Sequence, residues 1–324
     1  MTEPLRLSVG IPLHNEEAVL PELLRRTLAV LDRLEGGPHE LILVDDGSSD
    51  RTADMISAAS REDPRIVVVS LSRNFGHQAA LSAALDQVTG DALVLMDGDL
   101  QDAPEMIPTF LARWREGYEV VYAVRSRRQE GWHKRLAYRT FYRVLAAISQ
   151  VDTPLDSGDF SLMDRRAVDI IKDMPEQPRF LRGLRSWVGF RQTGVEVTRD
   201  ARYAGQPKYT LRRLMRLAHD GFFSLSYRPL QLASLVGLVA AMVALLLSIG
   251  LVVLKVVHGI PLLGWTSLMV GVLFLGGVQL ICLGILGEYV ARIYDETRGR
   301  PPYVIASVVG EVRPPAQQGP VRRE

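Results

Sequence analysis

A chain of 324 residues allows roughly two structural units at about 150 residues each, and 47% hydrophobic with 23% charged residues excludes a disordered or collagen-like chain. A formal net charge of +1 lacks the basic excess that goes with nucleic-acid binding, so no nucleic-acid partner is expected. The single cysteine, Cys282, excludes an internal disulfide and a zinc cluster of cysteine ligands.

The first residues do not combine a basic start with an unbroken apolar run, so no secretory signal is read and the first domain is expected in the cytoplasm. Residues 7–12 read as a short buried strand, and residues 16–34 set Val19, Leu23, Leu24, Leu28 and Leu31 on one helical face. The alternation then repeats. Strands are expected at 40–45, 66–71, 92–97 and 119–124, with helices at 52–60, 77–88 and 104–114. This pattern implies an α/β domain built on a mostly parallel sheet covered on both faces. Ligands of such sheets sit at the carboxyl ends of the strands, which singles out the loops at 12–16, 45–49 and 97–102.

Beyond Arg125 the pattern is less regular, and Gly158, Pro175, Pro178, Gly189 and Gly205 punctuate what reads as an extension of the same domain, ending near residue 209. Residues 210–228 read as an amphipathic juxtamembrane helix, with Leu211, Leu214, Met215, Ala218 and Phe222 on one face and Arg212, Arg213 and Arg216 elsewhere. The stretch from Leu230 to Gly287 then holds one charged side chain, Lys255. Residues 230–254 and 262–287 are each longer than the ~20 residues that cross a bilayer, so a hairpin of two transmembrane helices is expected within 229–288. Lys208, Arg212, Arg213, Arg216 and Arg228 precede it and Arg292, Arg298 and Arg300 follow it, which places both chain ends in the cytoplasm on a multi-pass membrane protein. Residues 289–324 read as a cytoplasmic tail, disordered from about Arg313.

Asp97-Gly98-Asp99 closes an apolar run and offers two carboxylates where a sheet opens to solvent. Mg²⁺ or Mn²⁺ takes such oxygens and completes its shell with water and phosphate, and Gln101 and Asp102 stand within reach in sequence. The bland alternative is a solvated turn. Asp45 and Asp46 precede Gly47, Ser48, Ser49 and Asp50. The last two suit an N-cap for the helix near Thr52, and the first pair exceeds what capping needs and suits hydrogen bonds to a base and ribose. Neither a dinucleotide fingerprint nor a P-loop occurs. Arg125, Arg127, Arg128, Lys134 and Arg135 read either as a solvated face or as a phosphate or lipid-headgroup contact, and His77 reads as a helix-start residue rather than a base.

Six segments in order carry a resemblance: residues 11–17 (IPLHNEE), 44–50 (VDDGSSD), 72–78 (SRNFGHQ), 96–102 (MDGDLQD), 157–160 (SGDF) and 202–208 (RYAGQPK). Together they resemble family 2 glycosyltransferases of the GT-A (Rossmann-like) fold. With the apolar C-terminal region, the chain is similar to the polyprenyl-phosphate glycosyltransferases, the group of dolichol-phosphate mannose synthase. The resemblance implies that Pro12, His14, Glu16, Val44, Asp45 and Asp46 hold the nucleotide. It implies that Asp97, Asp99 and Gln101 hold the metal on the donor diphosphate, with Asp99 counted among the catalytic positions. It implies that Arg125, Lys134, Arg135, Arg202 and Lys208 lie near positions that grip phosphate of donor or acceptor, and that Asp159 is the catalytic acidic residue beside the acceptor; the place of Lys134 and Arg135 beyond the nucleotide half, beside Trp132 and Tyr138, assigns those two to the acceptor. His14, Gly98 and Pro207 replace the family's usual Tyr, Ala and Ser.

The activity this implies is inverting transfer of one sugar from a nucleotide sugar, a UDP-sugar by preference, to a polyprenyl phosphate, with Mg²⁺ or Mn²⁺ as cofactor. Two alternatives stand beside it. A processive polysaccharide synthase would need a channel that two spans cannot enclose, and residues 182–187 (RGLRSW) lack the Gln of its Q-x-x-R-W element. An inactive membrane-anchored scaffold would not need four intact carboxylates. The oligomeric state is left open by the sequence, a homo-oligomer included.

Overall fold

The computed structural model of the chain describes residues 5–125, 157–176, 179–197, 228–258 and 264–310. They fall into two compact units. The first holds the described residues up to 125, 157–197 and 301–310, and the second holds 228–258 and 264–300.

The first unit is one sheet of eight strands with helices packed against it. The strands are β1 (Leu7–Leu13), β2 (Glu40–Asp45), β3 (Ile66–Leu71), β4 (Ala92–Leu95), β5 (Val120–Arg125), β6 (Ser157–Asp164), β7 (Gln192–Val197) and β8 (Ile305–Val309), in the order β7-β5-β6-β4-β1-β2-β3-β8. Strands β4, β1, β2 and β3 run parallel at its centre, while β6 and β8 run antiparallel to their neighbours. Every residue of β1, β2 and β4 is buried, as a sheet covered on both faces requires.

The helices of this unit are α1 (Leu20–Leu31), α2 (Thr52–Glu62), α3 (His77–Asp86), α4 (Ile107–Arg115), preceded by a 3₁₀ turn (Pro104–Met106), α5 (Arg165–Asp173) and α6 (Leu181–Trp187). Helix α1 starts later than its apolar periodicity suggests, because the carbonyl of Glu16 accepts from Val19 and Leu20 and holds residues 16–19 in a turn. Pro21 in the first helical turn then costs no hydrogen bond. Helix α3 approaches the sheet closely over Gly10. A Cβ there would lie 2.9 Å from both Ala84 Cβ and Leu95 Cδ2, so glycine on the strand and alanine on the helix together permit the contact. Leu81, Ala83, Ala84 and Leu85 are fully buried in the resulting cluster.

Two elements follow no expectation from the sequence. Strand β6 enters the sheet beside β4 in the opposite direction, pairing Leu95 with Ser161. Strand β8 lies beyond the apolar helices and closes the other edge against β3, pairing Ser70 with Ser307, and Ser72 N–H donates to the Val304 carbonyl at 2.9 Å. Tyr303, just before β8, donates its hydroxyl to Asp86 on α3, a carboxylate that also accepts from Arg179.

At the amino ends of the central strands, buried Glu40 accepts from Ser8 Oγ, from Thr89 N at 2.8 Å and from Thr89 Oγ1 at 2.6 Å. Beside it, His39 Nδ1 accepts from Leu7 N at 3.1 Å while Nε2 faces the Leu34 carbonyl at 3.4 Å. The ring is therefore neutral with its proton on Nε2, and burial above all holds its pKa below the ordinary histidine value.

The second unit contains α7 (Arg228–His258) and α8 (Trp265–Thr297), which pack on each other. The thiol of Cys282 on α8 lies 3.6 Å from the Ala233 carbonyl of α7. Among the described residues one helix is long and apolar enough to cross a membrane, α8, through Phe274–Ala291 with mean hydropathy 1.7; the described apolar stretch of α7, Ala233–Leu247, is shorter. The expected pair of spans is thus met in full by one helix. The expected amphipathic helix at 210–228 lies almost wholly outside the described residues, as does the tail beyond residue 310.

Candidate active site

The carboxyl ends of β1, β2 and β4 form one edge of the sheet, and the direction of β6 brings its first residues to that same edge. Leu95 pairs with Ser161. Two residues beyond the end of β4 stands Asp97, and two residues back along β6 stands Asp159, so the antiparallel direction of the two strands brings both carboxylates to this edge. Helix α3 completes the cluster. Its first residue, His77, points Nε2 at Asp97 Oδ1 (3.4 Å) and at Asp159 Oδ2 (3.5 Å). The ligating atoms of these three side chains lie within 4.8 Å of one another.

A fourth side chain comes from α6. Arg182 forks onto Asp159, Nε to Oδ1 at 3.2 Å and Nη2 to Oδ2 at 2.9 Å, the bidentate geometry that favours a planar guanidinium over an ammonium. Burial of Asp159 would raise its pKa, but the hydrogen bond from His77 and the charge of Arg182 outweigh it and hold the carboxyl well below the usual range. His77 shows the reciprocal effect. Burial of its ring opposes protonation, and the bond to Asp159 with the charges of Asp97 and Asp159 overcomes this and raises its pKa. Both directions favour an ion pair between His77 and Asp159 over the two neutral side chains.

The first and second strand ends are laced together beside this cluster. Asn15, at a left-handed φ of 56°, accepts on Oδ1 from Ser49 N at 2.8 Å, and its own N–H donates to Ser48 Oγ at 3.0 Å. Arg51, rather than the expected Ser49 or Asp50, holds the N-cap position of α2 and makes no side-chain cap, while Asp50 Oδ1 accepts from Thr52 N at 3.0 Å and so satisfies one N–H of the first turn. Asp45 accepts from Ser48 N at 3.1 Å. The carboxylate of Asp46 is turned inward and accepts from Phe75 N (2.7 Å) and Gly76 N (2.9 Å). It fixes residues 75–76, and with them the direction from which His77 enters. Gly47 makes room for this, since a Cβ on it would lie 2.5 Å from the Arg73 carbonyl carbon.

Pro12 and Val44 are register partners on β1 and β2, and the Val44 side chain is fully buried under α3. His14 is exposed with Nδ1 3.0 Å from the Asp46 carbonyl, and half-buried Glu16 donates its N–H to Thr52 Oγ1 at 2.9 Å. Asp99 accepts on Oδ1 from the N–H of Gln101 at 3.1 Å, a turn in which Leu100 takes a left-handed φ of 57°. Arg125 ends β5, which runs parallel to β4 in the sheet, and so belongs to the same carboxyl edge. Lys134, Arg135, Arg202 and Lys208 lie outside the described residues. The structure therefore gathers Pro12, His14, Glu16, Val44, Asp45, Asp46, Asp97, Asp99, Gln101, Arg125 and Asp159 along one edge. It adds His77 and Arg182, which the sequence reading did not place there.

A family model described as glycosyl transferase family 2 matches residues 8–171, a span that begins in β1 and runs to α5. The chain belongs to glycosyl transferase family 2. An uncharacterized glycosyltransferase of Bacillus subtilis, YkcC, is 42% identical over 311 residues, covering 96% of each chain. The bactoprenol glucosyl transferase of Shigella phage SfX is 40% identical over 304 residues, covering 94% of this chain and 99% of that one. The undecaprenyl-phosphate 4-deoxy-4-formamido-L-arabinose transferase of Serratia proteamaculans is 38% identical over 318 residues, covering 95% and 96%. The relatives include polyprenyl-phosphate glycosyltransferases, the group that the sequence motifs resemble, and the sheet is of the GT-A type.

Within this family 2 transferase, the glycine between Asp97 and Asp99 has a local cause. A Cβ at Gly98 would lie 2.6 Å from Leu13 Cδ2 and 3.1 Å from the Pro12 carbonyl, so the turn sits against the end of β1 too closely for the usual alanine. The ligating atoms that His77, Asp97 and Asp159 bring together are of types that Mg²⁺ or Mn²⁺ accepts, the ring nitrogen only in its neutral form, and Asp99 follows two residues after Asp97.

Proposed function

We propose that the chain is a membrane-bound inverting glycosyltransferase that moves one sugar from a nucleotide sugar, with UDP as the leaving group, to a polyprenyl phosphate at the cytoplasmic face. The observation that carries this reading is the cluster of Asp97, His77, Asp159 and Arg182 at the carboxyl edge of the sheet. Relatives named as bactoprenol and undecaprenyl-phosphate transferases, aligned over nearly the whole chain, support the acceptor.

Asp97, Asp99 and Gln101, with His77 beside them, would hold Mg²⁺ or Mn²⁺, whose charge offsets the charge that grows on a departing diphosphate. Pro12, His14, Glu16, Val44, Asp45 and Asp46 would frame the nucleotide. Arg125, with Lys134, Arg135, Arg202 and Lys208, would grip phosphate, Lys134 and Arg135 on the acceptor side. An acceptor phosphate loses its second proton near pH ~6 and is already a nucleophile at neutral pH. Its oxygen forms the new bond to the anomeric carbon as the bond to the diphosphate oxygen breaks, and attack from the opposite face inverts the centre. No strong base is needed. Asp159 is a weak base, because Arg182 and His77 hold its pKa well below the usual carboxylate range; its task is orientation.

The membrane arrangement in this reading is the two-helix hairpin, α7 and α8, with both chain ends cytoplasmic. The Lys and Arg on either side of the apolar region support it, against Lys255 alone near the turn, in the last residues of α7. The test is incubation of membranes holding the protein with polyprenyl phosphate and a panel of labelled nucleotide sugars, with and without a chelator. Label should enter the lipid fraction from one donor and only without the chelator; release of free sugar alone, from every donor, would contradict the acceptor.

A further inference from the structure

Arg185, on α6, heads the fully buried side chains of the described residues by size, at 2% exposure. Its guanidinium donates from Nη1 to the Gly158 carbonyl at 3.2 Å and lies over the Tyr122 ring, 5.2 Å from the centroid. Nε and Nη2 are buried and find no hydrogen-bond partner among the described residues. Arg185 lines a small cavity together with Asp159, Ser161 and Arg182. A cation in such a place is expensive, and a side chain of similar volume without charge would fill the space more cheaply. Burial lowers its pKa to about 10, and the charge of Asp159 is the main influence that opposes this fall. Packing alone therefore does not account for an arginine here.

Its geometry points to Asp159. Arg182 and Arg185 are three residues apart on one helical face, and they hold adjacent residues of β6. Arg182 takes the carboxylate of Asp159, and Arg185 takes the carbonyl of Gly158 immediately before it. The helix that carries them is anchored at both ends. Leu181 N–H donates to Gln78 Oε1 at 3.2 Å, next to His77, and Gln192 Nε2 donates to the Arg185 carbonyl at 3.0 Å. Helix α6 is thus a bracket between α3, which supplies His77, and the strand end that supplies Asp159.

We propose that Arg185 is a positioning residue for sugar transfer, fixing the backbone at Gly158 from within the core and so aiming the Asp159 carboxylate at His77 and Arg182. This rests on the transferase reading above. Arg185 is buried and acts through Asp159, so its removal should be felt in the rate rather than in the binding of either substrate.

The test is a double-mutant cycle on the full chain with Arg185→Met, Asp159→Asn and both changes, read as kcat, as KM for donor and lipid phosphate, and as the unfolding midpoint. Arg185→Met should lower kcat about tenfold or more with each KM within about twofold, and add nothing in the Asp159→Asn background, the non-additivity of residues that work as a unit. Arg185→Lys, which keeps the charge, should recover part of kcat, and the same cycle built with it serves if the methionine variant does not fold. Multiplicative losses in the double variant, or unchanged kcat in a folded Arg185→Met protein, would overturn the proposal. A wild-type chain that transfers no sugar to lipid would instead refute the transferase reading, and the coupling of Arg185 to Asp159 would still be readable as non-additive unfolding midpoints.

Discussion

Single residues at the two ends of the sheet answer to different chemistry. At the carboxyl edge, Asp99→Asn keeps the shape of the turn and its bond from Gln101 but removes a charge from the proposed metal set. Transfer should fall by about 100-fold or more, the scale of losing a group that stabilises developing charge, while the unfolding midpoint stays close to wild type. Mn²⁺ binding followed by electron paramagnetic resonance checks the cause: undiminished binding by the variant would remove Asp99 from the set. At the amino edge, His39 is folded in its neutral form with its pKa below the ordinary value. The unfolded chain therefore takes up more protons than the folded one once pH drops below about 6.5, and stability is full above that value and lost below it, by up to ~1.4 kcal/mol per pH unit until the folded ring itself titrates. Urea unfolding of wild type and His39→Gln at pH 7.5 and 5.5 isolates this group, and an identical pH response in the two proteins would show that His39 does not carry it. His77 was legible from its sequence position as a helix start, which it is, yet its role depends on Asp97 and Asp159, twenty and eighty-two residues away, and no local pattern encodes that meeting.

The elements show why some of the fold was readable and some was not. Strands β2 and β3 fall where uninterrupted apolar runs end in polar residues, and their limits match expectation because burial on both faces leaves no ambiguity of register. The direction of β6 was not readable. A strand's composition is the same whichever way it runs, and this one fact of topology sets Asp159 against Asp97. Strand β8 was hidden for another reason: its residues are mostly exposed, and it follows long apolar helices after which only a tail was expected. If β8 and the Ser72–Val304 bond brace the loop that leads into α3, then Ser307→Pro, which deletes an N–H from the antiparallel ladder, should destabilise the first unit by about 1–3 kcal/mol. Amide exchange should accelerate at Ser72 and along β3 in that variant; unchanged protection there would mean that β8 is dispensable to the edge. Helix α3 makes a second test at this scale. Gly10→Val places methyl groups where Ala84 and Leu95 already stand, and overpacking of this kind costs about 1–3 kcal/mol. Because the helix begins with His77, transfer should fall in step with stability, and a folded variant with full activity would separate the site from the packing of α3.

Across the whole molecule, the chain leaves the sheet unit after its seventh strand, runs through α7 and α8, and returns to the same sheet as β8. The proposed hairpin makes a prediction at this scale. Reporters fused after Glu324 and inserted in the segment 259–263 should lie on opposite sides of the membrane, and the same side for both would remove the hairpin. The central claim is that the cluster at the carboxyl edge moves a sugar from a nucleotide to a lipid phosphate, and the most direct measurement is transfer itself, made with the purified chain in lipid, one labelled nucleotide sugar and polyprenyl phosphate. The account predicts a labelled lipid whose sugar has the inverted anomeric configuration, formed with one equivalent of nucleoside diphosphate and lost in the Asp97→Asn variant. A product of retained configuration, or lipid labelling that survives in Asp97→Asn, would contradict it.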